Sequence, residues 1–127
     1  MKTISSVRFK QGETPEVTAD IDQRISDELA NVYLALAQND RCITKNKESN
    51  PDEFTMTKLY DHDGVWTGTT ITVKYTQAET LFLKPGTAKV EVGWVYYDGL
   101  AEKTNIARVQ IDGSLIREVM TYGKHTS

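Results

Sequence analysis

Four adjacent residues, Asp61-His62-Asp63-Gly64, bring together the side chains best suited to chemistry in this sequence. Two carboxylates and an imidazole supply the oxygen and nitrogen ligands that divalent metal ions bind. A calcium loop of the EF-hand type also requires a glutamate after its central glycine, and Thr70 stands in that position. We therefore predict a polar turn, and a metal-dependent enzyme using Asp61, His62 and Asp63 is the least favoured alternative.

The single cysteine, Cys42, offers the other reactive group. One cysteine can form neither an intrachain disulfide nor a cysteine-based zinc site. A catalytic thiol needs a nearby base, and nothing in the sequence places either histidine, His62 or His125, beside it. We interpret Cys42 as a small, buried or half-buried apolar residue.

Known catalytic and nucleotide-binding motifs do not occur in this sequence. It contains no Gly-x-Ser-x-Gly elbow, no phosphate loop and no dinucleotide fingerprint. Acidic pairs such as Asp52-Glu53 stand in a polar stretch, where solvation explains them. We therefore predict a non-enzymatic protein with no catalytic residue, no cofactor and no metal ion.

The length and composition of the chain further limit the class of protein and the partners that we expect. A chain of 127 residues fits one domain, which we place over 1–127 with an ordered core at about 7–120. The formal net charge of −3 disfavours nucleic acid, whose phosphates need a basic face. We see no apolar leader region and no run of ~18 apolar residues that could span a membrane. We expect a protein made in a cytoplasm that contacts neither nucleic acid nor membrane.

Apolar and polar residues alternate along three segments, which predicts strands with one face toward a core. These segments are Thr69–Thr76, Thr87–Tyr97 and Thr104–Ile111. In the first, one face carries Ile71, Val73 and Tyr75. In the other two we predict these inward residues: Val90, Val92, Trp94, Tyr96, Ala107, Val109 and Ile111. Asp98-Gly99, between the last two segments, fits a hairpin turn that needs a positive φ. Gln77–Leu81 predicts one helical turn.

Weaker patterns predict the edges of the domain. Val7–Gln11 and Glu16–Ile21 fit a tight hairpin with a glycine and a proline in its turn. The apolar-free run 45–53 predicts an exposed loop. Leu115–Met120 fits a last strand.

Residues 22–38 are ambiguous. Apolar residues recur there at helical spacing, but the second half also alternates as a strand does. We predict a helical turn over Ser26–Ala30 and a strand over Val32–Gln38, with a helix at about 26–38 as the alternative. Seven to nine short strands at roughly ten-residue spacing favour an antiparallel β-sandwich or barrel, whereas the helix would make the fold α+β.

Three aromatic residues near the hairpin turn lie on the two opposite faces of the strand that leads into it. Trp94 and Tyr96 share one face of the predicted strand, and Tyr97 lies on the other. Because large aromatic side chains anchor small β cores, we place Trp94 and Tyr96 in the core and expose Tyr97. Trp66, which stands near two glycines, either caps the sandwich or is exposed.

Six motifs follow one another in an order that resembles a known family. They are Val7–Pro15, Thr72–Leu81, Lys84-Pro85-Gly86, Val90–Trp94, Asp98-Gly99 and Thr104–Ala107. The pattern resembles the immunoglobulin-like N-terminal domain of phage baseplate upper proteins and its short relatives in prophages of Gram-positive bacteria. The resemblance covers most of 7–119. The chain departs from it at 22–31 and 45–54, which are longer, and it shows no long C-terminal extension with a separate receptor-binding domain.

The resemblance implies an immunoglobulin-like β-sandwich, mainly β with one or two short helical turns, and a structural role in a tailed bacteriophage virion. The position would be the tail, baseplate, neck or capsid surface, and the partners would be other phage structural proteins and further copies of the chain. We predict the contact residues to be Val7, Phe9, Trp66, Tyr97, Leu115, Ile116 and Met120. The alternative function is a carbohydrate-binding module that presents Trp66 or Tyr97 to a sugar.

Overall fold

The computed structural model describes residues 2–4, 7–21, 29–104 and 106–121 of the chain. These residues form ten β-strands, one short α-helix and one 3₁₀ turn. The strands belong to two sheets that share one hydrophobic core. The prediction of a mainly β protein with one or two short helical turns is confirmed.

The first sheet contains four strands. In order across the sheet they are β1 (Lys2–Ile4), β3 (Glu16–Ile21), β7 (Trp66–Lys74) and β6 (Phe54–Tyr60). All three pairings between these strands are antiparallel.

The second sheet contains six strands. Five follow one another across it, namely β2 (Val7–Lys10), β10 (Ala107–Asp112), β8 (Gly86–Tyr96), β4 (Leu29–Ala37) and β5 (Cys42–Asn46). The sixth, β9 (Ala101–Lys103), pairs with the far end of β8. Among the described pairings, that of β2 with β10 is the parallel one, and the others are antiparallel.

This strand order is that of an immunoglobulin-like sandwich. The opening strand is divided between the sheets, because β1 pairs with β3 and β2 pairs with β10. The strands β3, β7 and β6 then form one sheet, and β4, β5, β8 and β10 form the other. The predicted immunoglobulin-like β-sandwich is confirmed.

Alternate residues of the facing strands build the core. Its buried apolar residues are Phe9, Val17, Ala19, Ile21, Val32, Leu34, Leu36, Phe54, Ile71, Val73, Tyr75, Leu83, Ala88, Val90, Val92, Trp94, Val109 and Ile111. Tyr96 and Ala107 pack against it from the edge. The predicted inward faces of the three strongest strands are therefore confirmed.

The predicted hairpin on Asp98-Gly99 is also confirmed. Gly99 has a φ of 91°, a conformation that glycine adopts without steric cost. Thr104 follows β9 and bonds Val92 twice: its N–H donates to the Val92 oxygen at 2.8 Å, and its hydroxyl accepts from the Val92 N–H at 3.0 Å. Beyond this point β10 resumes the pairing with β8 in a register shifted by one residue.

The ambiguous segment is a strand from Leu29 to Ala37, so the predicted strand over Val32–Gln38 is confirmed up to Ala37 and the predicted helical turn is wrong at Leu29 and Ala30. Val32, Leu34 and Leu36 are all fully buried in β4, which pairs with β8. In a helix Val32 and Leu36 would share a face and Leu34 would point away from it, whereas a strand points all three the same way. The alternative helix over 26–38 is therefore wrong from Leu29 onward. Residues 22–28, which hold the start of the predicted helical turn, lie outside the described residues.

The predicted hairpin between Val7–Gln11 and Glu16–Ile21 is wrong. β2 and β3 belong to different sheets, and the Gln11 N–H donates to the oxygen of Asp112 at 3.0 Å. Glycine and proline between the two strands signal a change of direction. They do not specify which strand each neighbour pairs with, and here the chain crosses between the sheets.

Two further predictions need correction. Residues 115–120 form irregular bends instead of a last strand, because β2 already occupies the outer side of β10. The predicted loop 45–53 begins too early, since Lys45 belongs to β5 and is 3% exposed. The rest of that run is a turn followed by the 3₁₀ turn Pro51–Glu53.

The predicted helical turn is confirmed as α1 (Gln77–Phe82). Thr76 caps it: its hydroxyl accepts from the Glu79 N–H at 3.2 Å, and the Glu79 carboxylate accepts from the Thr76 N–H at 2.8 Å. This reciprocal pair is a capping box, which satisfies two backbone donors at the start of a helix.

Candidate interaction surfaces

The turn between β6 and β7 carries the Asp61-His62-Asp63-Gly64 motif and is exposed throughout. Asp61 Oδ1 accepts hydrogen bonds from the N–H groups of Asp63 at 2.9 Å and Val65 at 3.0 Å. Within the described residues, no three histidine, cysteine, aspartate or glutamate side chains are grouped to hold a metal ion. The first carboxylate thus builds the turn, and the predicted polar turn is confirmed.

Cys42 is exposed at the start of β5. Its interpretation as a buried or half-buried residue is wrong, because β5 is the outer strand of its sheet and Cys42 stands on the side away from the core. Its sulfur lies 3.7 Å from the hydroxyl of Thr44. His125 lies outside the described residues.

Trp66 is half-buried at the start of β7. Its indole N–H donates to the oxygen of Gly68 at 2.7 Å. The Lys58 ammonium stands 4.4 Å from the ring centroid, a cation–π arrangement. One face and the polar atom of the ring are thus occupied by the chain itself, which suits a cap on the sandwich better than a free contact surface.

Tyr97 is exposed, as predicted, beside the β8–β9 turn. It is 76% exposed, and Leu100 in the same turn is 65% exposed. Ile106, which is 61% exposed, lies away from that turn, directly before Ala107, the partner of Val90. Neither position carries a periodic signal for an exposed apolar residue. Leu100 stands between two alternating segments, and Ile106 lies within Thr104–Ile111 on the face that Arg108 and Gln110 mark as polar.

The turns 60–65 and 97–100 lie at the same end of the sandwich. Leu29, which pairs with Tyr96 ahead of the second turn, lines one cleft together with Lys58, which precedes the first turn. The two turns carry the carboxylates of Asp61, Asp63 and Asp98 and no lysine or arginine. We call these two turns the acidic end.

The β2 strand contributes less surface than predicted. Phe9 is 4% exposed within the core, so its predicted contact role is wrong: its side chain points between the sheets. The side chain of Val7 lies outside the described residues. Arg8 is exposed and forms a two-point ion pair with Asp112, at 2.8 and 3.1 Å. Hydrogen bonding in this pair raises the pKa of Arg8 and lowers the pKa of Asp112.

The 113–121 segment, which follows β10, leaves apolar side chains in solvent. Leu115 is fully exposed, and Ile116, Val119 and Met120 are each more than half exposed. Exposed apolar residues that stand singly are ordinary, but a contiguous group indicates an interaction site.

Two glutamine side chains hold the backbone of this segment. The Gln77 amide donates to the oxygen of Met120 at 2.8 Å and accepts from the Met120 N–H at 2.7 Å. The N–H of Ser114 donates to the Gln11 side chain at 3.4 Å. The segment therefore has a defined path beside α1 and β2, although its apolar side chains stay more than half exposed.

The predicted contact residues separate into two surfaces. The 113–121 segment begins beside the end of β2, where Lys10 pairs with Asp112. Tyr97 follows the opposite end of β8, whose first residue, Gly86, pairs with Ile111. Ten residue steps of β8 separate these points, or roughly 33 Å at ~3.3 Å per residue.

A buried charge cluster joins β5 to the other sheet and was not predicted. The Lys45 ammonium lies 2.9 Å from carboxylate oxygens of both Glu53 and Glu79, and it donates to the oxygen of Lys74 at 2.8 Å. It also stands 4.9 Å from the Tyr75 ring centroid. We call Lys45, Glu53, Tyr75 and Glu79 the Lys45 cluster. Its members come from separate elements, so only the Thr-x-x-Glu capping box had a recognisable spacing.

Tyr75 is the apolar wall of this cluster. Burial, reinforced by the nearby Glu79 carboxylate, raises its pKa, so the phenol stays neutral. No hydrogen-bond partner for its hydroxyl occurs among the described residues. The cluster thus keeps one ammonium and two carboxylates paired around a neutral ring.

Comparisons with known proteins extend only to the fold. No family model matches the chain, and no curated protein matches its sequence. The murine CRIg structure matches 90% of this chain and 97% of its own length, at 10% identity and a TM-score of 0.42. A variant of the SrpA adhesin from Streptococcus sanguinis matches 88% of this chain and 57% of its own length, at 11% identity and a TM-score of 0.43. Neither likeness bears on function.

Among the described residues, no helix is long and apolar enough to cross a membrane.

Proposed function

We propose that the chain is a non-enzymatic structural component of a tailed bacteriophage virion that acts through protein–protein contacts. One observation carries the proposal: the 113–121 segment has a fixed backbone and an uncovered group of apolar side chains. Covering an aliphatic side chain contributes about 1.5–3 kcal/mol. A partner surface that covered four of them would therefore gain considerable affinity.

The virion setting rests on the sequence motifs. The order of strand and turn motifs between Val7 and Ala107 resembles that of baseplate upper proteins. Virions repeat one contact many times by symmetry, so that modest contacts add up. The partners are then other structural proteins of the particle and further copies of the chain, and the location is the virion.

The carbohydrate-binding alternative has less support. It needs a free aromatic platform, and Trp66 already bonds Gly68 and lies against Lys58. Tyr60 and Tyr97 are exposed at the acidic end, at 60% and 76%. They stand on two separate exposed turns, and rings placed in this way do not by themselves make the concave pocket with convergent polar groups that a small ligand needs.

The test is whether the chain is present in phage particles. Particles released from the bacterium that encodes the chain are purified on a density gradient and analysed by quantitative mass spectrometry and immunogold electron microscopy. We expect a fixed number of copies per particle and labelling at one position. Chain found in the lysate but not in the particles contradicts the proposal, and selective binding on a glycan array in that case supports the alternative.

The contact surface is tested with a matched pair of variants. Leu115→Ser combined with Met120→Ser should reduce the number of copies per particle, because it removes apolar surface from the 113–121 segment. Leu59→Ser is the control, since Leu59 is 39% exposed on β6, away from that segment. Equal incorporation of both variants contradicts a contact through this segment.

A further inference from the structure

A groove at the other end of the sandwich from the acidic end is basic. It has a volume of about 760 Å³. It is lined by the loop 38–40, by Lys84-Pro85 and by Lys89 and Arg108 of β8 and β10. Three cations and one carboxylate, Asp40, face it. We call it the basic groove.

Two of these cations have no counter-charge among the residues that the structure describes. Lys89 and Arg108 stand directly opposite each other on neighbouring strands and are both exposed. Neither forms an ion pair with any of the residues that the structure describes, whereas Lys84 pairs with Asp40. Like charges directly opposite on a sheet destabilise the pairing. An anionic partner in the groove would remove that repulsion.

The acidic end has the complementary charge. Its carboxylates, Asp61, Asp63 and Asp98, lie on two projecting exposed turns with no lysine or arginine. Asp61 and Asp98 each use one oxygen to hold their own turn, through Val65 and Leu100 respectively. The second oxygen of each carboxylate is left for a partner.

The two surfaces cannot meet within one chain. Lys89 lies near the start of β8 and Asp98 follows its other end, so the length of the strand separates them. Opposite charges at the two ends of one molecule favour contact between the end of one copy and the opposite end of the next.

We infer that the basic groove receives the acidic end of a second copy of this chain, so that copies join head to tail. Such a contact is heterologous, and it gives a ring where the rotation closes and a filament where it does not. The inference rests on the proposed function in that it names one partner, the chain itself. Gly113 lies beside Pro85 of the groove, but the exposed apolar side chains of the 113–121 segment do not line it and remain available for other proteins.

The test measures self-association by sedimentation velocity over a range of protein concentrations. We expect larger species at low salt that dissociate at high salt, because screening weakens contacts between exposed charges. A chain that stays monomeric at high concentration in low salt, or association that does not respond to salt, overturns the inference.

Charge reversal identifies the surfaces. Lys89→Glu with Arg108→Glu makes both ends acidic, and Asp61→Lys with Asp98→Lys makes both ends basic or neutral. Each pair should weaken self-association by about tenfold or more. An equimolar mixture of the two variants should associate again, because each then offers the charge that the other lacks. Failure of the mixture to associate overturns the assignment.

A control separates local contacts from net charge. Lys47→Glu with Lys74→Glu changes the net charge as much as the groove variant, at exposed positions outside the groove and the acidic end. It should associate nearly as the unmodified chain does, and an equal loss would overturn the inference.

Incorporation into particles without self-association contradicts this inference alone, whereas self-association of a chain that is absent from particles contradicts the proposed function alone.

Discussion

The Lys45 cluster and the 113–121 segment both reverse the usual distribution of side chains. In the first, an ammonium group is almost fully buried, and in the second, aliphatic side chains lie in solvent. Yet every hydrogen-bonding partner that Lys45 needs is close by, in Glu53, Glu79 and the backbone of Lys74. The apolar side chains of the segment have no such cover.

This difference shows which of the two regions finds all the interaction partners it needs within one chain. A buried charge is tolerated only when it is paired and hydrogen-bonded, and the Lys45 cluster meets that condition internally. The 113–121 segment fixes its backbone through Gln77 and Gln11 but leaves its apolar side chains more than half exposed. We therefore assign the cluster to stability and the segment to contact with a partner.

The largest difference in the free energy of unfolding should be between variants of Phe9 and Leu115, two apolar residues that the sequence predicts as contact residues. Phe9→Ala should lower the free energy of unfolding by about 3 kcal/mol or more, because it empties a core site. Leu115→Ala should change it by less than about 0.5 kcal/mol, because Leu115 is fully exposed. Urea unfolding followed by tryptophan fluorescence measures both. Similar losses for the two variants would mean that the segment packs on the sandwich after all.

The next effect concerns the charge cluster. Lys45→Met should lower the free energy of unfolding by about 3 kcal/mol, since it leaves two half-buried carboxylates without their cation. Lys47→Met is the matched control, because Lys47 is exposed two residues away, and it should be nearly neutral. Differential scanning calorimetry at neutral pH compares them. Equal melting temperatures would show that the cluster contributes no net stability.

The smallest effect concerns the ion pair between Arg8 and Asp112, which directly precedes the 113–121 segment. The Arg8 guanidinium holds the pKa of Asp112 below its usual value, so the folded state favours the carboxylate. Its contribution to stability is therefore complete above the unfolded pKa of about 3.9 and is lost as pH falls through the lower folded value. The melting-temperature difference between the unmodified chain and Asp112→Asn should shrink as pH falls from about 5 to about 2. A melting-temperature difference that grows as the pH falls would contradict the predicted loss of the ion pair's contribution to stability.

Regular alternation made much of the fold predictable. Val90, Val92 and Trp94 were assigned to the core by period alone, as were Val109 and Ile111, and all are buried. Local turn chemistry was equally informative, since a hairpin through Asp98-Gly99 depends on the positive φ that glycine permits. These features were predictable because each depends on residues close together in the chain.

The failures concern long-range pairing. Nothing in Val7–Gln11 indicates that it pairs in parallel with β10, about a hundred residues away. For the same reason the sequence does not indicate that the ring of Phe9 lies in the core, where the pairing of β2 with β10 places it. The Lys45 cluster was missed because a lone lysine in a polar run normally indicates solvent.

By itself the sequence determined the class of fold, the strongest strands, the main hairpin and the polar nature of the Asp61–Gly64 turn. Period-two alternation and glycine conformations are local properties, and they need no knowledge of distant neighbours. Only the tertiary structure decided which strands share a sheet, which of Phe9 and Leu115 is buried, and that Lys45 meets Glu53 and Glu79. Burial and charge pairing depend on which parts of the chain pack together, and that is a property of the whole sandwich.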